Sequence, residues 1–382
     1  MKVILIKMIK FIICMLPKRR IILFESNPDF SCNTYPVFLE ISQRRYFKKY
    51  KFIWIVSDGA SNKKNVILKN PKNYFQKLKS IYYKNVADCV ISCNMLIPKE
   101  RKGQLAVFLS HGSKTKKTKG ICEIGNSVDY VLCQAHFFDD VIKYEYDLKQ
   151  SQLVYLGYPR CDYLYNKHKN IHRAIGINEN SNYIIWLPTF RTNAAFAEYD
   201  TVSDYDKIGM PIIYSVEELI ALNRLLCDND IYIVFKPHPA QEISTLKAIT
   251  LSNILIIDDK WIKDRGLQLY EVISESSALI TDYSSVFFDY LLLDRPIATT
   301  TDDLDKWKEK RGFAFDLEAM YDSATIRVPD YKTLENFILS IKNGIDLKRA
   351  DRNRICELTN IYQDGDSAKR VADFIQKKLS EK

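Results

Sequence analysis

Glycine and proline are scarce in this chain, 12 of each in 382 residues. That scarcity excludes a collagen-like repeat and argues against a low-complexity, disordered polymer. No apolar run reaches 18 residues, so no segment has the usual length for spanning a bilayer as a helix. The nine cysteines, at positions 14, 32, 89, 93, 122, 133, 161, 227 and 356, are odd in number and form no C-x-x-C pair. A secreted disulfide scaffold and a zinc ribbon are thereby excluded, and reduced, mostly buried thiols of a cytoplasmic protein are expected. Glycine-rich Walker and dinucleotide fingerprints are missing, which argues against P-loop and nicotinamide chemistry. No G-x-S-x-G elbow occurs, against an α/β-hydrolase. The five histidines (His111, His136, His168, His172, His238) show no H-E-x-x-H or similar metal spacing.

What is present is a chain long enough for two domains, 47% hydrophobic and 27% charged. The net charge of +9 hides an asymmetry: residues 1–120 carry 25 Lys/Arg against 6 Asp/Glu, a net of +19, so the rest carries −10. Such a field draws an anionic partner to one half, whether nucleic acid, acidic lipid or phosphorylated substrate; the plainer reading is a soluble, Lys-rich surface. The first twenty residues, MKVILIKMIKFIICMLPKRR, imitate a secretory leader, but the uninterrupted apolar stretch 11–17 is short and no small-residue cleavage site follows. Wound as a helix, Lys7, Lys10 and Lys18 fall within an arc of about 80°. Two readings fit: a helix in the membrane interface with its basic side toward anionic headgroups, or a first buried element with snorkelling lysines.

Short apolar runs then alternate with longer amphipathic stretches. Strands are expected at 21–25, 51–57, 88–92, 105–110, 130–133 and 153–156, and in a second series at 183–187, 231–235, 254–257, 278–281 and 296–299. Apolar strands spaced by helices indicate parallel βαβ units covered on both faces. The polar stretch 166–182 separates the two series and is the expected linker, and the last helical stretch, 367–380, is expected to cap or cross over the domains. In doubly wound sheets ligands sit at the carboxyl ends of the strands, so the polar residues just after each strand carry the interest.

Those residues are unusual in kind. After 105–110 comes His111-Gly112-Ser113-Lys114-Thr115-Lys116-Lys117, a glycine that lets backbone approach a ligand, hydroxyls and lysines that suit phosphate, and a histidine able to take a proton. After 231–235, Lys236-Pro237-His238-Pro239 pins one imidazole between two prolines beside a lysine. After 278–281, Asp282-Tyr283-Ser284-Ser285 leads into an apolar run, placing two serines at a helix start, as an anion site or as plain caps. Trp186-Leu187-Pro188-Thr189-Phe190-Arg191 adds a hydroxyl and a guanidinium, and Arg311-Gly312 is expected near the end of the last strand.

In order, HGSKTKKTKG (111–120), GYPRCDYL (157–164), LPTFR (187–191), FKPHP (235–239), ITDYSSVFFDYLLLDRPI (280–297) and RGFAFDLE (311–318) resemble the CDP-glycerol glycerophosphotransferases, which build wall teichoic acids and related phosphate-linked polymers. The resemblance spans about residues 20 to 340. It implies an α/β fold of GT-B type, two Rossmann-like domains facing a cleft. Residues 1–170 would meet acceptor and membrane; residues 171–382, with the terminal helix, would bind the cytidine nucleotide. An acceptor hydroxyl would attack the β-phosphate of a CDP-alditol and release CMP. His111 matches the family's proposed general base and His238 the second catalytic histidine. Thr189, Arg191, Lys236, Thr281, Asp282, Ser284, Ser285 and Arg311 fall on the donor phosphate and nucleotide side, with Asp282 orienting the loop or a ligand hydroxyl. Asn33, Ser113 and Lys116 fall on the acceptor side.

The implied partners are CDP-glycerol or a related CDP-alditol, a polyprenyl-diphosphate-linked or polymer acceptor, and an anionic membrane surface. No metal, cofactor or nucleic acid is implied, and the expected location is cytoplasmic, peripheral on the inner face of the cell membrane. The basic N-terminal half then has a reason. The departures from the family pattern gather on the acceptor side: Ser110 replaces an aromatic residue, Ser113-Lys114 replaces Thr-Pro, and the loop Glu25-Ser26-Asn27-Pro28-Asp29-Phe30 lacks the usual glycine. A chain of two such domains and little else resembles primase-type members or short capsule polymerases. Two other readings compete: a CMP-sialic-acid-type GT-B transferase of capsule synthesis, which shares the fold and a nucleotide monophosphate leaving group, and a non-catalytic, membrane-docked binding protein.

Overall fold

The β-branched and aromatic runs form two separate parallel sheets in the computed structural model, which describes residues 2–57, 64–117, 125–166, 168, 170–189, 208–238, 241 and 243–382. The chain divides into two units, the first made of Met1–Ser113, Gly120–Asp162 and Ile361–Lys382, the second of Lys114–Lys119 and Tyr163–Asn360.

The first unit holds seven strands: β1 Arg19–Glu25, β2 Lys51–Val56, β3 Val66–Leu68, β4 Ala87–Ser92, β5 Leu105–Phe108, β6 Tyr130–Cys133 and β7 Leu153–Tyr155. Their order across the sheet is β3-β2-β1-β4-β5-β6-β7, parallel throughout. Helices α1 Lys2–Met15, α2 Thr34–Gln43, α3 Tyr74–Val86 and α4 Asp139–Tyr146 belong to it. Ile21, Leu23, Ile53, Ile55 and Val90 form a buried cluster against which Ile9 and Ile13 of α1 pack. The opposite side of α1 leaves Phe11 69%, Ile12 58% and Met15 74% exposed. No described helix is long and apolar enough to cross a membrane.

The second unit runs α5 Ile171–Ile175, β8 Asn182–Leu187, α6 Val216–Asp228, β9 Ile231–Phe235, α7 Ser244–Ala248, β10 Ile254–Ile256, α8 Asp259–Asp264, α9 Leu269–Ser274, β11 Ala278–Thr281, α10 Val286–Tyr290, β12 Ile297–Thr300, α11 Leu304–Lys310, α12 Leu317–Ala324, β13 Ile326–Val328, α13 Tyr331–Lys342 and α14 Arg349–Thr359. Its sheet order is β10-β9-β8-β11-β12-β13, again parallel. Both sheets are doubly wound: the order reverses between β1 and β4 in one and between β8 and β11 in the other.

Two expectations are corrected. The terminal helix, α15 Ser367–Ser380, belongs to the first unit rather than to residues 171–382. It buries Val371, Ala372, Ile375 and Leu379 there. Arg44 beyond α2 pairs with Asp373 at 2.5 Å, and Asp162 caps the helix by accepting the amides of Ser367 and Ala368 at 2.9 and 2.7 Å. A cap supplied from so distant a residue leaves no local trace in sequence. The stretch 166–182 is not a bare linker, since α5 lies within it and buries Ile171 and Ile175. Lys10 of α1 pairs with Glu100, and Lys18, beyond the end of the helix, donates to the Gly103 carbonyl at 2.6 Å. Lys7 lies outside the described side chains.

Candidate active site

In the first unit the switch point falls between β1 and β4, and buried polar groups organise it. Glu25, the last residue of β1, is fully buried; its carboxylate accepts the amides of Cys93, Asn94 and Met95 at 3.3, 3.2 and 3.0 Å and lies 3.2 Å from Lys69 Nζ. A buried charge so satisfied fixes the chain as it leaves β4. Asn33, also fully buried, donates to the carbonyls of Leu109 and Ser110 at 3.1 and 2.8 Å and accepts the Arg160 amide at 3.1 Å. Arg160 Nη1 in turn donates to the His111 carbonyl. Ser110 adopts φ +55° and Gly112 φ +143°, the latter a region essentially reserved for glycine. The His111 backbone is thus held on both sides while the residue itself is exposed. An imidazole aimed from an immobilised strand end can accept a proton from a hydroxyl.

In the second unit the switch point falls between β8 and β11. Asp282 is fully buried and accepts both the amide and the hydroxyl of Thr189, at 2.9 and 2.6 Å. Thr281 is buried as well and spends its hydroxyl on the Leu187 carbonyl at 2.7 Å. Ser284 and Ser285 are half-buried at the start of α10, Ser284 Oγ lying 3.4 Å from the Val286 amide. Lys236, leaving the adjacent β9, is 2.9 Å from Asp259. His238 is exposed, with its carbonyl accepting the Gln241 amide at 2.9 Å. Arg311 does not follow a strand; it closes α11, and its buried Nε meets no hydrogen-bond acceptor among the described residues.

The segment Lys114–Lys119 joins the second unit. The Thr115 hydroxyl donates to the Tyr283 carbonyl at 2.9 Å, the Ala314 amide to Thr115 at 2.9 Å, and Lys116 bridges to Phe313. Lys116 Nζ sits 5.1 Å over the Trp307 ring, on which Tyr283 stacks at 4.7 Å. Lys116 therefore lies in the second unit, with the residues expected on the donor side.

The expected site residues so divide into two groups. His111, His238, Ser284, Ser285, Lys116 and Arg311 retain some exposure. Asn33, Ser113, Thr281 and Asp282 are buried: Ser113 donates to Gln134 Oε1 at 2.5 Å. Each of these four has polar atoms bonded to neighbouring protein atoms. Thr189 is held to Asp282, and Lys236 has a carboxylate of its own. Arg191 lies outside the described residues. Sequence reasoning missed Glu25, Lys69 and Arg160; only Arg160 carried a signal, inside GYPRCDYL. In that motif Gly157 has φ +75° and a side chain there would meet Ser367 Oγ at 2.4 Å, so only glycine fits. Among the described residues no three His, Cys, Asp or Glu gather as metal ligands would. A cavity of about 740 Å³, lined by Lys99, Arg101, Lys102, Lys378 and Lys382 among others, opens at the amino ends of β5 and β6, the end away from the His111 turn.

The sequence model of the CDP-glycerol:poly(glycerophosphate) glycerophosphotransferase family matches residues 7–377. A teichoic acid poly(glycerol phosphate) polymerase of Bacillus spizizenii (strain ATCC 23059 / NRRL B-14472 / W23) is 26% identical over 95% of this chain and 93% of that protein. A teichoic acid glycerol-phosphate primase of Bacillus subtilis (strain 168) is 24% identical over 92% of this chain and 91% of its own length. The solved wall teichoic acid polymerase TagF superposes with a TM-score of 0.75 at 19% identity, covering 98% of this chain and 93% of that one, which establishes a shared GT-B-type fold. The chain belongs to the CDP-glycerol:poly(glycerophosphate) glycerophosphotransferase family, and its reaction class is glycerophosphate transfer.

Proposed function

We propose that this enzyme transfers glycerol phosphate from CDP-glycerol to a hydroxyl of a polymer or lipid-linked acceptor in teichoic-acid-type synthesis, and that His111 and His238 carry the chemistry. The family match over residues 7–377 carries the reading; the exposure of both histidines among buried, spent polar neighbours supports their roles. The acceptor oxygen attacks the β-phosphorus as His111 takes its proton. The bond from that phosphorus to the CMP oxygen breaks, and charge collects on the leaving phosphate. His238 and the cationic Arg311, whose buried Nε awaits an acceptor, stabilise that charge, with Ser284 and Ser285 at the donor phosphates. Removing one such donor typically costs about 100-fold or more in rate. Asp282 acts by holding the Thr189 loop, and Asn33 by holding the His111 turn.

The test is CMP release from CDP-glycerol, CDP-ribitol and CMP-sialic acid offered separately, with and without a lipid-linked acceptor. Acceptor-dependent release from CDP-glycerol is expected. Turnover of CMP-sialic acid alone would replace the reading with glycosyl transfer, and silence with all three would favour a binding protein.

The site of work, in the same reading, is an anionic membrane surface. The support is the exposed Phe11, Ile12 and Met15 of α1, near a cavity rich in lysine whose Arg101 donates to the carbonyls of Cys14 and Leu16 at 3.0 and 2.7 Å. Apolar side chains entering the interface beside cationic groups suit anionic lipid. Replacing Phe11, Ile12 and Met15 by Ser is expected to release the protein from phosphatidylglycerol vesicles without slowing hydrolysis of soluble CDP-glycerol; unchanged vesicle binding would refute the docking.

A further inference from the structure

The cavity at the amino ends of β5 and β6, about 740 Å³ in volume, is within the range of small-ligand sites, and its charges do not cancel. Each carboxylate in its wall already has a cation: Glu100 pairs with Lys10, Asp129 with Lys99 at 2.5 Å and Glu381 with Lys378 at 3.1 Å. Three further cations of the wall, Arg101, Lys102 and Lys382, have no ion-pair partner among the described residues. Arg101 spends Nη1 on the Cys14 and Leu16 carbonyls at 3.0 and 2.7 Å, and its Nε and Nη2 make no hydrogen bond to a described residue. Lys382 Nζ donates to the Gly103 carbonyl at 2.8 Å, and Lys18 Nζ donates to the same oxygen at 2.6 Å. Two ammonium groups on one oxygen lie at most about 5.4 Å apart, the two bond lengths end to end. The carboxylate that Lys18 reaches, Asp88, is 3.8 Å away. Like charges so placed repel each other and draw an anion. Glycine permits the approach: Gly103 has φ +84°, and a Cβ there would meet Lys18 Nζ at 3.2 Å. Partial desolvation lowers the pKa of Lys382, and the Lys18 charge adds to that against the pull of Asp129 and Asp88.

We propose that this cavity binds a phosphate ester, held by Arg101, Lys102 and the Lys18–Lys382 pair. The geometry carries this: cations from three chain segments, before β1, before β5 and after α15, meet at one concave site, and three of them lack a carboxylate. A tetrahedral phosphate presents oxygens in several directions, so it takes the free edge of a guanidinium and separate ammonium groups together. Glycerophosphate is the group that this family transfers. It occurs as a soluble ester or polymer and as the headgroup of phosphatidylglycerol, and both present the same phosphate to these cations. The cavity opens at the end of the sheet away from the His111 turn, so the site is distinct from the transfer chemistry. The inference goes beyond that chemistry and stands if the roles of His111 and His238 fail, since its readout is binding at named lysines.

The experiment trace-labels the lysines of the full-length protein with acetic anhydride and reads each by peptide mass spectrometry, at equal ionic strength. The probes are sn-glycerol 3-phosphate, a short-chain phosphatidylglycerol below its micelle concentration, and glycerol alone. Lys102 and Lys382 should label about threefold more slowly with a phosphate ester at about twice its Kd, while Lys263, exposed on the second unit, keeps its rate and glycerol changes nothing. Protection by the soluble ester shows that free phosphate suffices; protection by the lipid alone assigns the site to headgroups. Lys102→Gln combined with Lys382→Gln should weaken calorimetric binding of the protecting ester about tenfold, with the melting temperature unchanged because both side chains are exposed. That variant keeps Phe11, Ile12 and Met15, so its result is separable from the test of membrane docking. Labelling unaffected by either ester, equal slowing at Lys263 as screening alone would give, or parental affinity in the double variant would overturn the proposal.

Discussion

At the β8/β11 switch point Asp282, fully buried just past β11, accepts the amide and hydroxyl of Thr189. At the β1/β4 switch point the hold is spread over several groups. The neutral Asn33 amide fastens residues 109 and 110, Arg160 fastens His111, and Glu25 fastens the turn at 93–95. The two sheets have the same winding, yet among the described residues Asp282 gathers its contacts on Thr189, while Asn33, Arg160 and Glu25 spread theirs over three chain segments. A single substitution should therefore disable the first more completely than the second. The mesh, in return, offers more places for variation.

The largest effect expected from breaking either region is at the exposed histidines. His111→Ala should lower transfer by about 10²–10⁴-fold, the usual contribution of a general base, and His238→Ala should do likewise, both without a shift in melting temperature; near-normal turnover in either would remove its assigned role. Next comes the carboxylate. Asp282→Ala strands the Thr189 amide and hydroxyl and should cost about 2–3 kcal/mol of stability in urea unfolding, with weakened donor binding. Asn33→Ala, relieved in part by the remaining Arg160 contact, should cost less, about 1–2 kcal/mol, and show itself mainly in kcat. Equal losses for the two would contradict the contrast between one clamp and a mesh.

The smallest effect is electrostatic. His168 places Nδ1 3.1 Å from Glu271 and Nε2 2.7 Å from the Tyr163 carbonyl, and the Glu271 bond raises its pKa above 6.5. A raised folded-state value means that this contribution is complete below pH 6.5 and fades as pH rises through the higher value. Unfolding between pH 6 and 8 should show the loss, about 1 kcal/mol or less, and His168→Gln should abolish its slope. An unchanged pH profile in the variant would show that the pair adds nothing.

Much of this was legible in the chain. Eleven expected strands are present within a residue or two at their ends, because buried parallel strands read as continuous apolar runs. The short edge strands β3 and β13, three residues each, carry too little pattern to be seen. The resemblance found LPTFR and DYSS, and with them both partners of the Asp282 clamp. Asn33 came with the resemblance, but its buried hold on residues 109 and 110 depends on tertiary contact, as does the pinning of 93–95 by Glu25. The placement of α15 failed for the same reason: Asp162 caps it from far along the chain. The packing of Lys116 over Trp307 likewise depends on tertiary contact.

The most direct test of the division between the two regions is calorimetric binding of CDP-glycerol set beside acceptor-dependent CMP release, in His111→Ala and Asp282→Ala. The account predicts that His111→Ala binds the donor as the parent does and fails to transfer, while Asp282→Ala loses donor affinity. Loss of donor binding in His111→Ala, or parental affinity in a folded Asp282→Ala, would contradict it.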